Sequence, residues 1–167
     1  MLSHAFLQRG FRPFFLAAAI HGAVVVSFWY AMVLYGAQWP VLGLAPTVWH
    51  AHEMVFGFTC AVVAGFILTA MNNWTGEATA RGGKLLIMVV CWAVARLLPL
   101  LGGRELLFWA ALFDLLFWLL LCVDLMQVII RSRQWNQVSI WSKLLMLAAA
   151  NGCFYLGHAW QDAELIH

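Results

Sequence analysis

The sequence has little charge for its length. Only 10% of its 167 residues are Asp, Glu, Lys or Arg, seven acids and nine bases, against 65% hydrophobic residues and a mean hydropathy of +0.87. A soluble domain of this size must cover its outside with polar groups, and that stock of charge does not suffice. Lipid is therefore the expected outer solvent. A basic stripe is also missing: the net charge is +2 and the bases sit singly or in pairs between apolar runs, so no nucleic-acid partner is expected. There is no C-x-x-C or C-x-x-C-H. Cys60, Cys91, Cys122 and Cys153 fall one per hydrophobic segment, which argues against disulfides and against covalently attached c-type haem. The sequence offers no nucleotide loop and no nucleophile with a base, so any turnover has to be carried by a metal.

What is present is apolar sequence in helix-length blocks. A bilayer core of about 30 Å needs roughly 20 apolar residues of helix. Five stretches qualify, near 14–35, 48–71, 84–101, 105–130 and 140–160, giving an all-α integral membrane protein with residues 1–167 as one bundle of transmembrane helices. The first stretch is too long for a cleaved signal and lacks a small-x-small site before polar chain, so it reads as a retained anchor. Pro40 and Pro46 mark one loop, and the polar run 72–83 with Asn72-Asn73 marks another. Leu98-Pro99 and Gly102-Gly103 end the third helix, and 131–139 separates the fourth from the fifth. Counted over alternate loops, Arg9, Arg12, Arg81, Lys84, Arg131, Arg133 and Lys143 fall on one side and Arg104 on the other. The positive-inside rule then puts the N-terminus in the cytoplasm and the C-terminus in the periplasm, in a multi-pass protein of a bacterial inner membrane.

The second stretch opens with Trp49-His50-Ala51-His52-Glu53-Met54. On a regular helix, His50 shares a face with Glu53, Met54, Gly57, Cys60, Ala61, Ala64 and Gly65, while His52 points away with Phe56, Thr59, Val63 and Phe66. Gly57, Ala61 and Gly65 form the small-xxx-small pattern that lets membrane helices approach closely. Two histidines at i and i+2 cannot both hold one ion from a regular helix, so His50 and His52 are expected to serve different sites. Imidazole ligates haem iron and copper, and the Met54 thioether suits copper. The alternative is that interfacial His and Trp only anchor the helix end. His158 lies near the outer end of the fifth helix, on a face with Asn151, Phe154 and Tyr155. An imidazole pair from facing helices at one depth suits a b-type haem, and anchoring by His158 is again the alternative. His21, about 10 Å from the inner end of the first helix, is expected at the wrong depth for this cluster, as a packing residue or part of a separate inner site.

Arg96 and Asp114 are the ionisable residues least expected in lipid. Their depths differ by about 6 Å, so they can pair across neighbouring helices. Two roles stay open for Arg96: partner of a haem propionate, or half of a buried ion pair fixing helix register. Asp124, close to Arg131, is expected at the cytoplasmic interface. Most of the tryptophans, Trp39 and Trp160 among them, lie at helix ends or in loops, as an aromatic belt requires.

At these residues the chain resembles the NnrS family, bacterial multi-spanning membrane proteins that carry haem and copper and are linked to nitric oxide. The resemblance rests on Gly10-Phe11-Arg12-Pro13-Phe14-Phe15, the Trp49–Met54 run with Phe56-Gly57-Phe58, Ala64-Gly65-Phe66-Ile67-Leu68-Thr69-Ala70, and Asn73-Trp74-Thr75-Gly76, with a looser likeness at Ala95-Arg96 and from Asn151 to His158. It implies a b-type haem, with copper as the second candidate. The candidate residues are His50, His52, His158 and Arg96 for the cofactor, and His50, His52, Met54 and His158 for metal. The implied function is a nitric oxide and nitrosative-stress response or electron transfer, with a diatomic gas such as nitric oxide as ligand. Family members run to more than twice this length, with about a dozen helices. A five-helix chain is therefore expected to complete its site as a homo-oligomer or with another membrane subunit, or to be a fragment. A non-catalytic subunit of a respiratory or denitrification complex, and a small transporter using Arg96 and Asp114, are the competing readings.

Overall fold

A computed structural model describes residues 5–37, 44–102 and 105–164. The expected loop residues Trp39 and Pro40, the base Arg104 and the side chain of Trp160 lie outside the described part. The described residues fold into five principal helices with no strand among them. Helix α1 runs Phe11–Tyr35, starting a turn earlier than hydropathy suggests, because Pro13 is tolerated in a first turn whose N–H groups have no partner in the helix. Helix α2 spans Pro46–Thr75. Pro46 opens it, and Gly76, in the left-handed conformation at φ 72°, closes it by returning its N–H to the Asn72 carbonyl. Helix α3 is Gly83–Leu97, tightened by Pro99 into the 3-10 turn Leu98–Leu101. Helix α4 is Glu105–Ser132 and α5 is Val138–Glu164.

Four of these, α1 to α4, are long and apolar enough to cross a membrane. The fifth is as long, but Ser139, Ser142 and Lys143 in its first two turns make it less apolar. Sequence neighbours pack antiparallel. The Phe11 amide donates to Thr69 Oγ1, while at the other end of the same pair the Trp29 and His50 rings stack at 4.5 Å. The small-xxx-small stripe performs as expected: a Cβ on Gly65 would meet the Phe14 and Phe15 side chains, and one on Gly57 would meet the His21 ring. Phe14, Leu68, Leu85, Phe117, Trp118 and Leu121 fill the core between α1, α2, α3 and α4. Asp124 is buried at the end of the bundle that carries the α2–α3 loop, accepting the Ala80 N–H at 2.8 Å and so tying that loop to α4. All four cysteines are free, and only Cys153 is exposed.

One feature of α2 was not expected. Residues Glu53–Thr59 form a π-helix, wider than the α-helix on either side. The Thr59 hydroxyl donates to the Met54 carbonyl, and the Trp92 indole of α3 donates to the Gly57 carbonyl at 3.1 Å. Both bonds satisfy backbone oxygens within the irregular segment.

Candidate functional site: a buried hydrogen-bonded ring at the centre of the bundle

The π segment begins at Glu53, which it aims at the middle of the bundle. Glu53 Oε1 accepts from His52 Nδ1 at 3.1 Å and from Arg96 Nη1 of α3 at 3.3 Å. The other guanidinium nitrogen, Nη2, pairs with Asp114 Oδ2 of α4. The same Asp114 oxygen accepts from Asn151 Nδ2 at 2.8 Å and from the Tyr155 hydroxyl at 3.0 Å, both on α5. Asn151 Oδ1 faces His52 Nε2 at 3.0 Å. The chain of contacts therefore closes on itself through Glu53, His52, Asn151, Asp114 and Arg96, every one of them buried. His21 of α1 adds the fifth helix, its Nε2 lying 3.0 Å from Glu53 Oε2 as a charge contact.

Hydrogen-bond roles around the ring follow from Asp114. An ionised carboxylate only accepts, so Asn151 must turn its NH2 to Asp114 and its carbonyl to His52. His52 then faces an amide oxygen at one nitrogen and a carboxylate oxygen at the other. Taking Arg96, Glu53 and Asp114 out of water is costly, and mutual pairing with good geometry is what offsets it.

The expected site residues fall into two groups. Arg96 and Asp114 pair as anticipated, and both Nη groups of Arg96 are committed to carboxylates of this chain. His50 and His52 do face apart: His50 lies against Trp29 of α1, and His52 against Phe154 of α5, with ring centroids 4.2 Å apart. The placements of His158 and His21 need correction. His52 keeps Phe56 beside it, as expected, and is enclosed by Phe154 and Tyr155 of α5. His158 does not oppose it; Asn151 does, and His158 stands seven residues, about 10 Å, farther along α5. Met54 packs into the apolar cluster around Trp49, Val25 and Met32. His21 belongs to the central cluster, because α2 extends past the start of α1 so that Phe11 meets Thr69, and depth counted from helix ends misplaces it. Asn151 and Tyr155 were visible as a polar face, without a role.

These contacts test the implied cofactor. Among the described residues no three His, Cys, Asp or Glu side chains converge to hold a metal ion. With both nitrogens facing oxygens, His52 has none to offer iron or copper. His50 differs: its Nδ1 is buried with no hydrogen-bond partner. It fits as one ligand, and the rest of a coordination shell is not assembled by the described side chains. Beside His52, between α2 and α5, an apolar groove of ≈ 370 Å³ opens to the bundle surface along Val48, Ala51, Val55, Phe56 and Phe154.

The family described as NnrS protein matches residues 5–167, nearly the whole chain. No curated protein and no solved structure matches it. Taken with the apolar helices and the Trp-His-Ala-His-Glu-Met run at the head of α2, this match over the length of the bundle makes the chain a member of the NnrS family.

Proposed function

We propose that this chain is a haem-bearing membrane protein of the nitric oxide and nitrosative-stress response, with copper as the second candidate metal. The family match over residues 5–167 carries the reading. Its supporting geometry is the orphaned Nδ1 of His50, held flat against Trp29 at the end of α2 opposite the basic loops. A haem bound there would supply an iron able to bind a diatomic gas. The chain's own contribution is positional. Trp29 fixes the His50 ring plane, and the closed ring one turn deeper holds α2 rigid. His52 is a positioning residue in that ring.

Because the described side chains do not complete a ligand set, the cofactor is proposed to be shared with a second copy or another membrane subunit. That same observation favours a second reading, a non-catalytic subunit that holds cofactor only beside its partner. A transporter is disfavoured by the commitment of Arg96 and Asp114 to each other and to Glu53, Asn151 and Tyr155.

Optical spectroscopy and metal analysis of protein purified after expression with ample haem test the proposal. A Soret band should appear, be lost in His50→Ala, and survive in His52→Gln. A wild-type protein without haem or copper, alone or with its native partners, sinks it. Cofactor seen only with a stoichiometric partner selects the subunit reading.

A further inference from the structure

The bundle end that carries the α2–α3 loop has a second polar concavity, unrelated to the ring. A cleft of ≈ 370 Å³ is lined by Arg81, Lys84 and Arg131 together with Asp124 and Thr79. The acid and the hydroxyl are already engaged: Asp124 Oδ2 accepts the Ala80 N–H, and Thr79 donates to the Leu68 carbonyl at 2.7 Å. Arg131 is steadied by its Nε donating to the Gln127 carbonyl of its own helix. Three exposed bases thus surround one buried acid whose hydrogen-bonding is directed into the loop.

The cleft does not end at the loop. A groove of ≈ 240 Å³ shares Lys84 and Asp124 with it and continues between α3 and α4 along Ile87, Met88, Leu120 and Val123. On α3 the sequence passes from Lys84 to Met88, and on antiparallel α4 from Asp124 back to Leu120, so both walls turn from polar to apolar in one direction. A basic mouth leading into an apolar furrow matches a molecule with an anionic head and a hydrocarbon tail.

We propose that this joined cleft and groove bind an anionic phospholipid, its phosphate held by Arg81, Lys84 and Arg131 and one acyl chain lying between α3 and α4. Guanidinium forks match phosphate oxygens two at a time, and bases at the membrane surface attract anionic headgroups. Free inorganic phosphate shares the headgroup chemistry but has no use for the furrow.

The experiment is native mass spectrometry of the full chain released from vesicles of phosphatidylglycerol and phosphatidylcholine in equal parts. Wild-type protein should retain phosphatidylglycerol preferentially. Arg81→Gln, Lys84→Gln and Arg131→Gln should each weaken that retention about five-fold, the effect of roughly 1 kcal/mol per surface base. Val123→Trp, at an exposed position of the groove wall, should weaken it too. Equal retention of the two lipids, or variants that behave as wild type with unchanged helix content by circular dichroism, overturns the proposal. Displacement of the lipid by inorganic phosphate with no effect of Val123→Trp also overturns it, in favour of a free-anion site.

Discussion

Arg96 is the residue on which most of the buried charge depends. It touches Glu53 through one Nη and Asp114 through the other, and removing it strands two carboxylates with no solvent to reach. Breaking a buried pair by deleting one partner costs about 3–5 kcal/mol. Arg96→Met should therefore lower the unfolding free energy in detergent micelles by that order, and adding Glu53→Gln and Asp114→Asn to the same chain should restore a large part of it. A loss under about 1 kcal/mol for the single change would show that the network is not load-sharing. The Arg96–Asp114 pair was legible in the sequence, because two ionisable groups at similar depth in apolar helices have few partners but each other. The enclosure of His52 was not, since nothing local says that Asn151, a residue 99 positions away, supplies the oxygen that occupies its second nitrogen.

The π segment decides which way the α2 side chains point. A wheel drawn at a constant 100° per residue placed Glu53 and Gly57 on the small-residue face, and that face is indeed buried. The wheel could not show the widening at Glu53–Thr59, which has no sequence signature of its own. Gly57 sits inside it with the His21 ring against its Cα, and that ring is held on its other sides by Glu53 and Trp92. Gly57→Ala should cost about 1–3 kcal/mol by overpacking, despite alanine's better helix propensity. In a His21→Ala background the same change should be neutral or stabilising. An equal penalty in both backgrounds would place the strain elsewhere. Helix ends were read within a turn or so wherever Pro or Gly punctuates them, as at Pro46, Gly76 and Pro99. The first turns of α5 carry Ser and Lys with no such marker, and the short 3-10 turn Trp135–Gln137 leads into the helix at Val138, two residues before the apolar run begins.

Arg9, Arg81, Lys84 and Arg131 line adjoining clefts at one end of the bundle, as counting bases over alternate loops anticipates. The positive-inside rule predicts that this end is cytoplasmic. A single cysteine introduced as Arg81→Cys, in a chain whose other cysteines are replaced by serine, should react with a membrane-impermeant maleimide in inside-out vesicles and be protected in intact spheroplasts. The reverse pattern would invert the topology. Helix number and composition were readable because lipid imposes them on every residue of a span. The cofactor question was not, because a ligand set is a matter of which side chains meet.

The closed ring takes a member from α2, α3, α4 and α5, with His21 of α1 beside it. Helices enter a membrane in chain order during synthesis, so Glu53 arrives before Arg96, and Arg96 before Asp114. Each ionisable group is costly in hydrocarbon until its partner follows. Release of α2 into lipid is thus favoured only once α3 is made, and α4 remains incompletely satisfied until Asn151 and Tyr155 of α5 follow. A chain that has made α4 but not yet α5 would leave Asp114 with Arg96 alone, without the Asn151 and Tyr155 donors, and His52 without the Asn151 oxygen; the docking of α5 is what closes the ring and buries it.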